Sequence, residues 1–270
     1  MLLAEVEYVR PSSIDEALRL LSAHEGARAL AGGQTLTNVM KARAAAPDVL
    51  VDLADLDELR RIVPAADGSL EVGAMATYTA VIASPEVAAV RPILADISAQ
   101  IADVQVRNRG TVGGNLCTSD PTNHLPPLMA ALGATMTIAG PGGERTVAAE
   151  AFFLGVYMTA VAPDELLTKI TIPAAEGGDG FAAVTIGKDG TCIANAAATL
   201  SDGQARVALG CVAAIPVVVS SAAEDGAITA AVQGAALDPP DDVHASADYR
   251  RHLAEVLATR AVRQALEEGS

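Results

Sequence analysis

Two glycine pairs are the residues whose type and spacing could do chemistry in this sequence. Gly32-Gly33 lies in "ALAGGQTLTNVM" (29–40), and Gly113-Gly114 lies in "NRGTVGGNLCTSDP" (108–121). Each pair follows an apolar run and precedes small hydroxyl or amide side chains. Glycine at a strand-to-helix junction lets main-chain N–H groups point into one concavity, where they hold phosphate oxygens without a lysine. Two such loops facing each other across a cleft predict a diphosphate site.

The known phosphate-binding motifs do not account for these loops. Neither loop matches GxxxxGK[ST], and the first also fails GxGxxG, which argues against a mononucleotide P-loop and the usual dinucleotide fold. A single Gly-Gly pair is more often a turn without a ligand. The presence of two similar loops favours a shared ligand.

The first half of the chain alternates strand and helix patterns around these loops. Ser12 and Ser13, followed by Asp15 and Glu16, predict the start of an amphipathic helix over residues 14–22. Helical patterns recur in "LTNVMKAR" and over residues 77–110, where Pro85 and Pro92 interrupt them. Strand patterns occur in "ARALAGG", "DVLVDLADL", "GSLEVGAMA", "GATMTIAG" and "ELLTKITIP".

The stretch "AAEGGDG" (174–180) is typical of a linker and predicts two domains, residues 1–175 and 176–270. Beyond it, "CIANAAATL" and "ARVALGCV" flank Asp202-Gly203, which predicts an antiparallel hairpin. A closing helix is expected with Ser246 as its N-cap. One face of that helix would carry Leu253, Val256, Leu257, Ala261 and Ala265.

Composition excludes several classes of function. The 33 acidic and 18 basic side chains give a formal charge of −15, which disfavours nucleic acid as a partner. Cys117, Cys192 and Cys211 are far apart, so we expect no disulfide framework, zinc site or iron–sulfur cluster, and no metal site, in this chain. The chain contains no run of about 18 apolar residues and no signal-peptide pattern at its N-terminus, which predicts a cytoplasmic protein without a transmembrane segment.

Four stretches together resemble the FAD-binding medium subunit of molybdenum hydroxylases of the xanthine dehydrogenase and carbon monoxide dehydrogenase type. The resemblance covers nearly the whole chain, and the AGGQ(T/S)L and RNRGT(V/I)GGN motifs are specific in this combination and order. It implies an α+β fold: an FAD-binding domain of the vanillyl-alcohol-oxidase or p-cresol-methylhydroxylase (PCMH) type, made of two α+β subdomains with FAD between them. A small C-terminal domain with an antiparallel three-stranded sheet and helices would follow. The stretches are "ALAGGQTLTNVMKARAAAPDVLVDLADLDELRRI", "VRNRGTVGGNLCTSDPTNHLPPLMAALGATM", "FFLGVYMTAVAPDELLTKITIP" and "DYRRHLAEVLATRAVRQAL".

The resemblance also implies a set of FAD-binding residues and no catalytic side chain. The second loop would direct main-chain donors and the Thr111 hydroxyl at the diphosphate, Thr118 and Asp120 would reach ribityl or ribose hydroxyls, and Leu167 would lie beside the flavin ring. An ordinary turn before Pro121 is the alternative for Thr118 and Asp120. The implied residues are Ala31, Gly32, Gly33, Gln34, Thr35 and Leu36 in the first loop, Thr111, Gly113, Gly114 and Asn115 in the second, and Thr118, Asp120 and Leu167.

Two positions depart from the family pattern. His124 stands where relatives commonly carry an acidic residue, which changes the expected hydroxyl acceptor, and a lone histidine is more often a surface or core residue than a ligand. Lys188, in "FAAVTIGKDG", is interpreted as a solvated turn charge rather than a residue near the flavin. Neither glycine loop contains a histidine, so noncovalent FAD is expected.

The resemblance implies electron transfer within a dimer of heterotrimers, with FAD in this chain. A small subunit would carry two [2Fe–2S] clusters, a large subunit would carry the molybdopterin cofactor, and the flavin would pass electrons to an acceptor such as NAD, a quinone or oxygen. Two alternatives are a stand-alone FAD oxidase of the same fold and a nonredox scaffold subunit in which the loops are turns. An aromatic content of only 3% disfavours the oxidase, since little material is left for a substrate pocket.

Overall fold

The computed structural model describes residues 2–187 and 190–269. The chain begins with a three-stranded parallel sheet in the order β1-β3-β2. Ser13 caps α1 by accepting a hydrogen bond from the main chain of Glu16 at 3.2 Å, while Glu16 accepts from the Ser12 amide at 2.7 Å. The elements of this part are β1 (Glu7–Val9), α1 (Ile14–Ala23), β2 (Ala27–Leu30), α2 (Leu36–Lys41) and β3 (Val49–Asp52).

A five-stranded antiparallel sheet in the order β4-β5-β10-β6-β7 forms the centre of the molecule. Short helices cover it, and the two prolines predicted to interrupt the helical region lie at helix starts, with Pro85 opening α4 and Pro92 preceding α5. The elements are a 3-10 helix (Asp57–Arg60), β4 (Ile62–Pro64), β5 (Leu70–Gly73), α3 (Tyr78–Ala83), α4 (Pro85–Val90), α5 (Ile93–Ala99), α6 (Val104–Arg107), α7 (Val112–Thr118), α8 (Leu125–Ala131), β6 (Thr135–Gly140), β7 (Gly143–Ala148), α9 (Ala149–Phe152), β8 (Phe153–Gly155), β9 (Met158–Thr159) and β10 (Leu166–Ile172).

The C-terminal part is an antiparallel sheet with helices, and its sheet has four strands in the order β11-β12-β13-β14 instead of the expected three. The Asp202-Gly203 hairpin is confirmed, with φ angles of 49° and 74°. Ser246 caps the closing helix by accepting from Tyr249 at 3.2 Å. The elements are β11 (Asp179–Thr185), β12 (Cys192–Ser201), β13 (Gln204–Gly210), β14 (Val217–Ala222), α10 (Asp225–Gln233) and α11 (Ala247–Glu268).

The interpretation of residues 174–180 as a linker is wrong at its end, because Asp179 and Gly180 belong to β11. Asp179 is buried and forms an ion pair with the buried Arg91 at 3.2 Å. Gly180 allows close approach of α11, since a side chain there would overlap the main chain of Ala261. An Asp-Gly pair is typical of turns, and only these distant contacts place it in a strand.

Hydrophobic packing joins the C-terminal sheet to the central sheet. The core that surrounds β5, β6 and β10 includes Phe181, Ala197 and Ala208 from β11, β12 and β13. A second core lies between the C-terminal sheet and the helices α10 and α11, and on α11 it includes Leu253, Leu257, Ala261 and Ala265. Val256 is only half-buried, so the expected apolar face of the closing helix is shifted slightly.

Candidate functional site

The two glycine loops meet in space. The main chain of Gly32 lies so close to that of Arg109 and Gly110 that a Cβ at Gly32 would stand 2.9 Å from the Cα of Gly110. A Cβ at Gly114 would stand 3.6 Å from the Cβ of Ala31. The loops, far apart in sequence, therefore form one continuous surface.

A cavity of about 710 Å³ opens along this surface, within the range of small-molecule sites. Its wall takes residues from the parallel sheet, from the central sheet and from the hairpin β8–β9. Of the residues implied by the family resemblance, the wall contains Ala31, Gly32, Gln34, Thr35 and Leu36 from the first loop, Thr111, Gly113, Gly114 and Asn115 from the second, and Thr118 and Leu167.

The first loop presents unused main-chain donors. Gly33 adopts a φ of +72°, which reverses the chain between β2 and α2. Its carbonyl accepts from the main-chain amide of Thr37 at 3.2 Å and from the Thr37 hydroxyl. The amides of Gly32, Gly33, Gln34 and Thr35 donate to no group within residues 2–187 and 190–269. Several unpaired N–H groups in one turn favour binding of an anionic oxygen.

Gly33 itself lies outside the cavity wall. Its role is conformational, because a residue with a side chain is strained at this φ, and its Cβ would lie 3.3 Å from the Leu30 side chain.

The second loop uses three of its main-chain donors within the protein. Gly113 N–H donates to the carbonyl of Ala74 at 2.9 Å, Gly114 N–H to the Thr111 hydroxyl at 3.1 Å, and Asn115 N–H to the Thr111 carbonyl at 3.0 Å. These three amides are therefore already paired within the protein, and their contact with a diphosphate stays a prediction. The loop acts as a rigid base, with Thr111 as the N-cap of α7.

Asn115 is the polar side chain of the second loop that remains available to a ligand. Its Oδ1 atom is buried and has no hydrogen-bond partner in the part of the chain that the structure describes. Burial raises the pKa of the neighbouring Tyr78, also on the wall, to about 12, and the Asn115 side chain opposes this shift. A buried acceptor without a partner favours a ligand N–H or O–H at this position.

Asp120 is not among the residues that line the cavity, and its contact with a ribityl or ribose hydroxyl stays a prediction. Its Oδ1 accepts from the amide and hydroxyl of Thr122, at 2.9 and 2.8 Å, and its Oδ2 accepts from the Tyr157 hydroxyl at 3.4 Å. This is the turn before Pro121 that the sequence left open as the alternative. Thr118 lines the cavity, and its hydroxyl donates to the Gly114 carbonyl at 2.7 Å.

The two departures from the family pattern have separate outcomes. His124 lies away from the cavity wall, with its ring 5.2 Å from that of Phe181 and its Nδ1 3.5 Å from Asn195 Nδ2. Lys188 lies outside the described residues.

Several wall residues were not singled out from the sequence. Arg28 is the only lysine or arginine among the residues that line the cavity. The hairpin β8–β9 contributes Tyr157 and Met158, which are exposed, and Tyr157 has a φ of +58°. A tyrosine at positive φ is uncommon and is held here by the hydrogen bond from its amide to the Ser119 carbonyl, at 3.0 Å. In the sequence, the apolar run "VYM" (156–158) is the one signal that could have indicated this hairpin.

Comparison with known proteins identifies the family. Residues 4–175 match the model of the FAD binding domain in molybdopterin dehydrogenase. The chain belongs to the FAD-binding medium subunits of the molybdenum hydroxylases. As a member of this oxidoreductase family it contains the FAD-binding domain.

Relatives match over almost their full length. The carbon monoxide dehydrogenase medium chain of Afipia carboxidovorans is 40% identical over 98% of this chain and 98% of its own. The nicotine 6-hydroxylase medium subunit of Paenarthrobacter nicotinovorans is 33% identical, over 98% and 99% of the two chains.

Solved structures show the same fold. A chain of the Cu,Mo-CO dehydrogenase in its cyanide-inactivated form has a TM-score of 0.92 at 38% identity, covering 99% of this chain and 100% of that one. A chain of quinoline 2-oxidoreductase from Pseudomonas putida 86 has a TM-score of 0.90 at 33% identity, covering 99% of each. Together they establish the α+β fold expected from the sequence.

None of the helices in the described residues is long and apolar enough to cross a lipid bilayer.

Proposed function

We propose that this chain binds FAD noncovalently in the cavity between its glycine loops and works as the electron-transfer subunit of a heterotrimeric, cytoplasmic molybdenum hydroxylase. The single observation that supports it best is the convergence of the two loops on one cavity that carries unused amides. The flavin, when bound, supplies the redox chemistry, and the protein fixes its position and environment. The domains that do this are proposed to be residues 1–175, which bind FAD, and residues 176–270.

The described residues fit a dinucleotide in specific ways. The free amides of Gly32, Gln34 and Thr35, which line the cavity, suit the diphosphate, and Arg28 adds a positive charge to the wall. Asn115 Oδ1 and the Thr118 hydroxyl offer polar contacts, and Leu167, which is buried, offers an apolar surface for the flavin ring. In this arrangement the first loop donates to the ligand and the second loop holds the first in place.

The partners are inferred from the family. A small subunit with [2Fe–2S] clusters would deliver electrons to the flavin, and a large subunit with the molybdopterin cofactor would oxidise the substrate, in a dimer of heterotrimers. The medium chains and subunits among the relatives support this division, since their names describe components of larger dehydrogenases and hydroxylases.

The test of FAD binding measures the visible spectrum and the flavin content of the purified chain. We expect the absorption bands of an oxidised flavin, released on denaturation, at about one FAD per chain. Gly33→Ala should reduce the flavin content, because it strains the turn that orients the free amides. Gly203→Ala is the matched control, with a φ of +74° and no atom within 4 Å of its Cβ. A folded chain without flavin, even after incubation with FAD, would support the scaffold alternative.

The test of the complex is copurification of the tagged chain from its native cells. Recovery of an iron–sulfur subunit and a molybdopterin subunit supports the heterotrimer. Recovery of a flavin-loaded chain alone, which oxidises an alcohol without partners, would replace it with the stand-alone oxidase.

A further inference from the structure

Two buried cysteines lie near the same buried amide nitrogen of Asn195, outside the FAD cavity. Cys192 begins β12, and Cys211 follows the last residue of β13. Asn195 and Gly210 are paired across these antiparallel strands, so both cysteines lie beyond the same end of the pairing. Neither cysteine is joined in a disulfide, and the Cys192 thiol donates a hydrogen bond to the Ala194 carbonyl at 3.3 Å. Cys211 has a φ of +64°, which turns the chain out of β13.

Asn195 connects the thiols to the FAD-binding part of the chain. Its side chain is completely buried, and Nδ2 lies 3.4 Å from the sulfur of Cys192 and 3.8 Å from that of Cys211. The same atom lies 3.5 Å from His124 Nδ1. An amide donor shared between two sulfur atoms stabilises negative charge on either of them.

The charge is expected on Cys192. The hydrogen bond from Cys211, followed by the hydrogen bond and charge of His124 and the amide of Asn195, lowers the pKa of Cys192 to about 5 against the effect of burial. The pKa of Cys211 is raised, first by the hydrogen bond to Cys192 and then by burial; Asp120 adds to this effect and Arg250 opposes it. A thiolate beside a protonated thiol is the arrangement that favours disulfide formation.

A small crevice reaches Cys211, the second cysteine of the pair. Its volume is about 10 Å³, and it is lined by the second cysteine of the pair together with prolines of two loops: Cys211, Pro121, Pro126, Pro127 and Pro216. Such a volume holds about one water molecule. Hydrogen peroxide is close to that size, whereas a bulky disulfide reagent is far larger.

We propose that Cys192 and Cys211 form a dithiol–disulfide site that hydrogen peroxide oxidises in the folded protein. The Cys192 thiolate attacks one peroxide oxygen, the O–O bond breaks, and a sulfenic acid forms with release of hydroxide. The Cys211 sulfur then attacks the Cys192 sulfur, the S–O bond breaks, and water leaves with the Cys211 proton. Both thiols are oxidised by two electrons in total, and one peroxide is reduced. The proposal does not depend on FAD binding.

The experiment treats the full-length folded chain with hydrogen peroxide, blocks the remaining thiols by alkylation and maps tryptic peptides by mass spectrometry. Arg206 lies between the two cysteines, so trypsin separates them unless a disulfide joins them. We expect the Cys192 and Cys211 peptides to be linked, and the link to disappear after reduction. Cys117→Ser should still form it, and Cys192→Ser should not.

Two results would overturn the proposal. One is oxidation of the exposed Cys117 while Cys192 and Cys211 are both recovered alkylated. The other is a cross-link that appears only in urea, which would assign it to unfolded chains.

The pH dependence gives a second readout on the same wild-type chain. With Cys192 already a thiolate, the rate of cross-linking should change by less than about threefold between pH 6 and 8. An ordinary thiol, with a pKa of about 8.5, would increase its rate by nearly a hundredfold over the same interval. A rise of that size would show that the attacking cysteine is a protonated thiol at pH 6, and would overturn the assignment of a standing thiolate to Cys192.

Discussion

Replacement of Gly32 by alanine tests whether contact between the loops is required to hold FAD. A methyl carbon at this position would lie 2.7 Å from the carbonyl carbon of Arg109 and 2.9 Å from the Cα of Gly110. The carbonyl oxygen of Arg109 would be closer still, at 2.0 Å, so the loops must separate by more than about 1 Å to reach an ordinary contact distance of about 3.5 Å. Overpacking of this kind costs about 1–3 kcal/mol. If the bound state bears that cost, the Kd for FAD rises about 5- to 150-fold.

The assay titrates apoprotein with FAD and follows the quenching of flavin fluorescence, with thermal unfolding measured in parallel. Gly180→Ala is the matched control: its Cβ would lie 2.9 Å from the carbonyl carbon of Ala261 and 2.9 Å from the amide nitrogen of Ala265, away from the cavity. We expect both variants to unfold at a lower temperature and only Gly32→Ala to lose affinity. A folded Gly32→Ala chain with unchanged Kd would refute the reasoning, as would equal losses in both variants.

Three further predictions concern caps, charge and the buried ion pair. Thr111→Val removes the N-cap of α7, which should cost about 1 kcal/mol of stability and weaken FAD binding. Thr77→Val removes the equivalent cap of α3 and should lower stability alone, so equal flavin affinity in the two variants would contradict this prediction. Arg28→Gln should raise the Kd for FAD by about tenfold or less and reduce its salt dependence, as measured by titration at two ionic strengths; an unchanged salt dependence would remove Arg28 from the site. Asp179→Asn leaves Arg91 buried without its counter-charge and should lower the free energy of unfolding in urea by about 3–5 kcal/mol. The double variant Arg91→Met/Asp179→Leu should recover most of that loss. A double variant no more stable than the single one would show that the loss does not come from an uncompensated charge.

The parts of the fold that could be predicted from sequence are those set by contacts between residues close together in the chain. Ser13 and Ser246 mark helix starts because a side-chain cap acts within three residues, and Asp202-Gly203 marks a hairpin because both residues tolerate positive φ. The start of β11 was missed because Asp179 is placed by its ion pair with Arg91, a contact between residues far apart in sequence.

The candidate site likewise has features that follow from sequence and features that only the folded structure shows. The position of the glycine loops follows from sequence, since glycine there is required by close approach and by the φ of Gly33. The pairing of their amides does not follow from sequence, because the Gly113 amide donates to the carbonyl of Ala74, which comes directly after β5 and which no local pattern connects to the loop. The carboxylate of Asp120 accepts a hydrogen bond from the amide of Thr122, two residues on, a contact that only the folded turn reveals.

The sharing of one hydrophobic core between the central and C-terminal sheets has a consequence for biosynthesis. Phe181, Ala197 and Ala208 complete the packing around β5, β6 and β10. While the ribosome has translated only as far as β10, that apolar surface has nothing to cover it. The nascent chain therefore reaches its final packing only after β13 has emerged from the exit tunnel, and a shortened gene product that stops near residue 175 should aggregate.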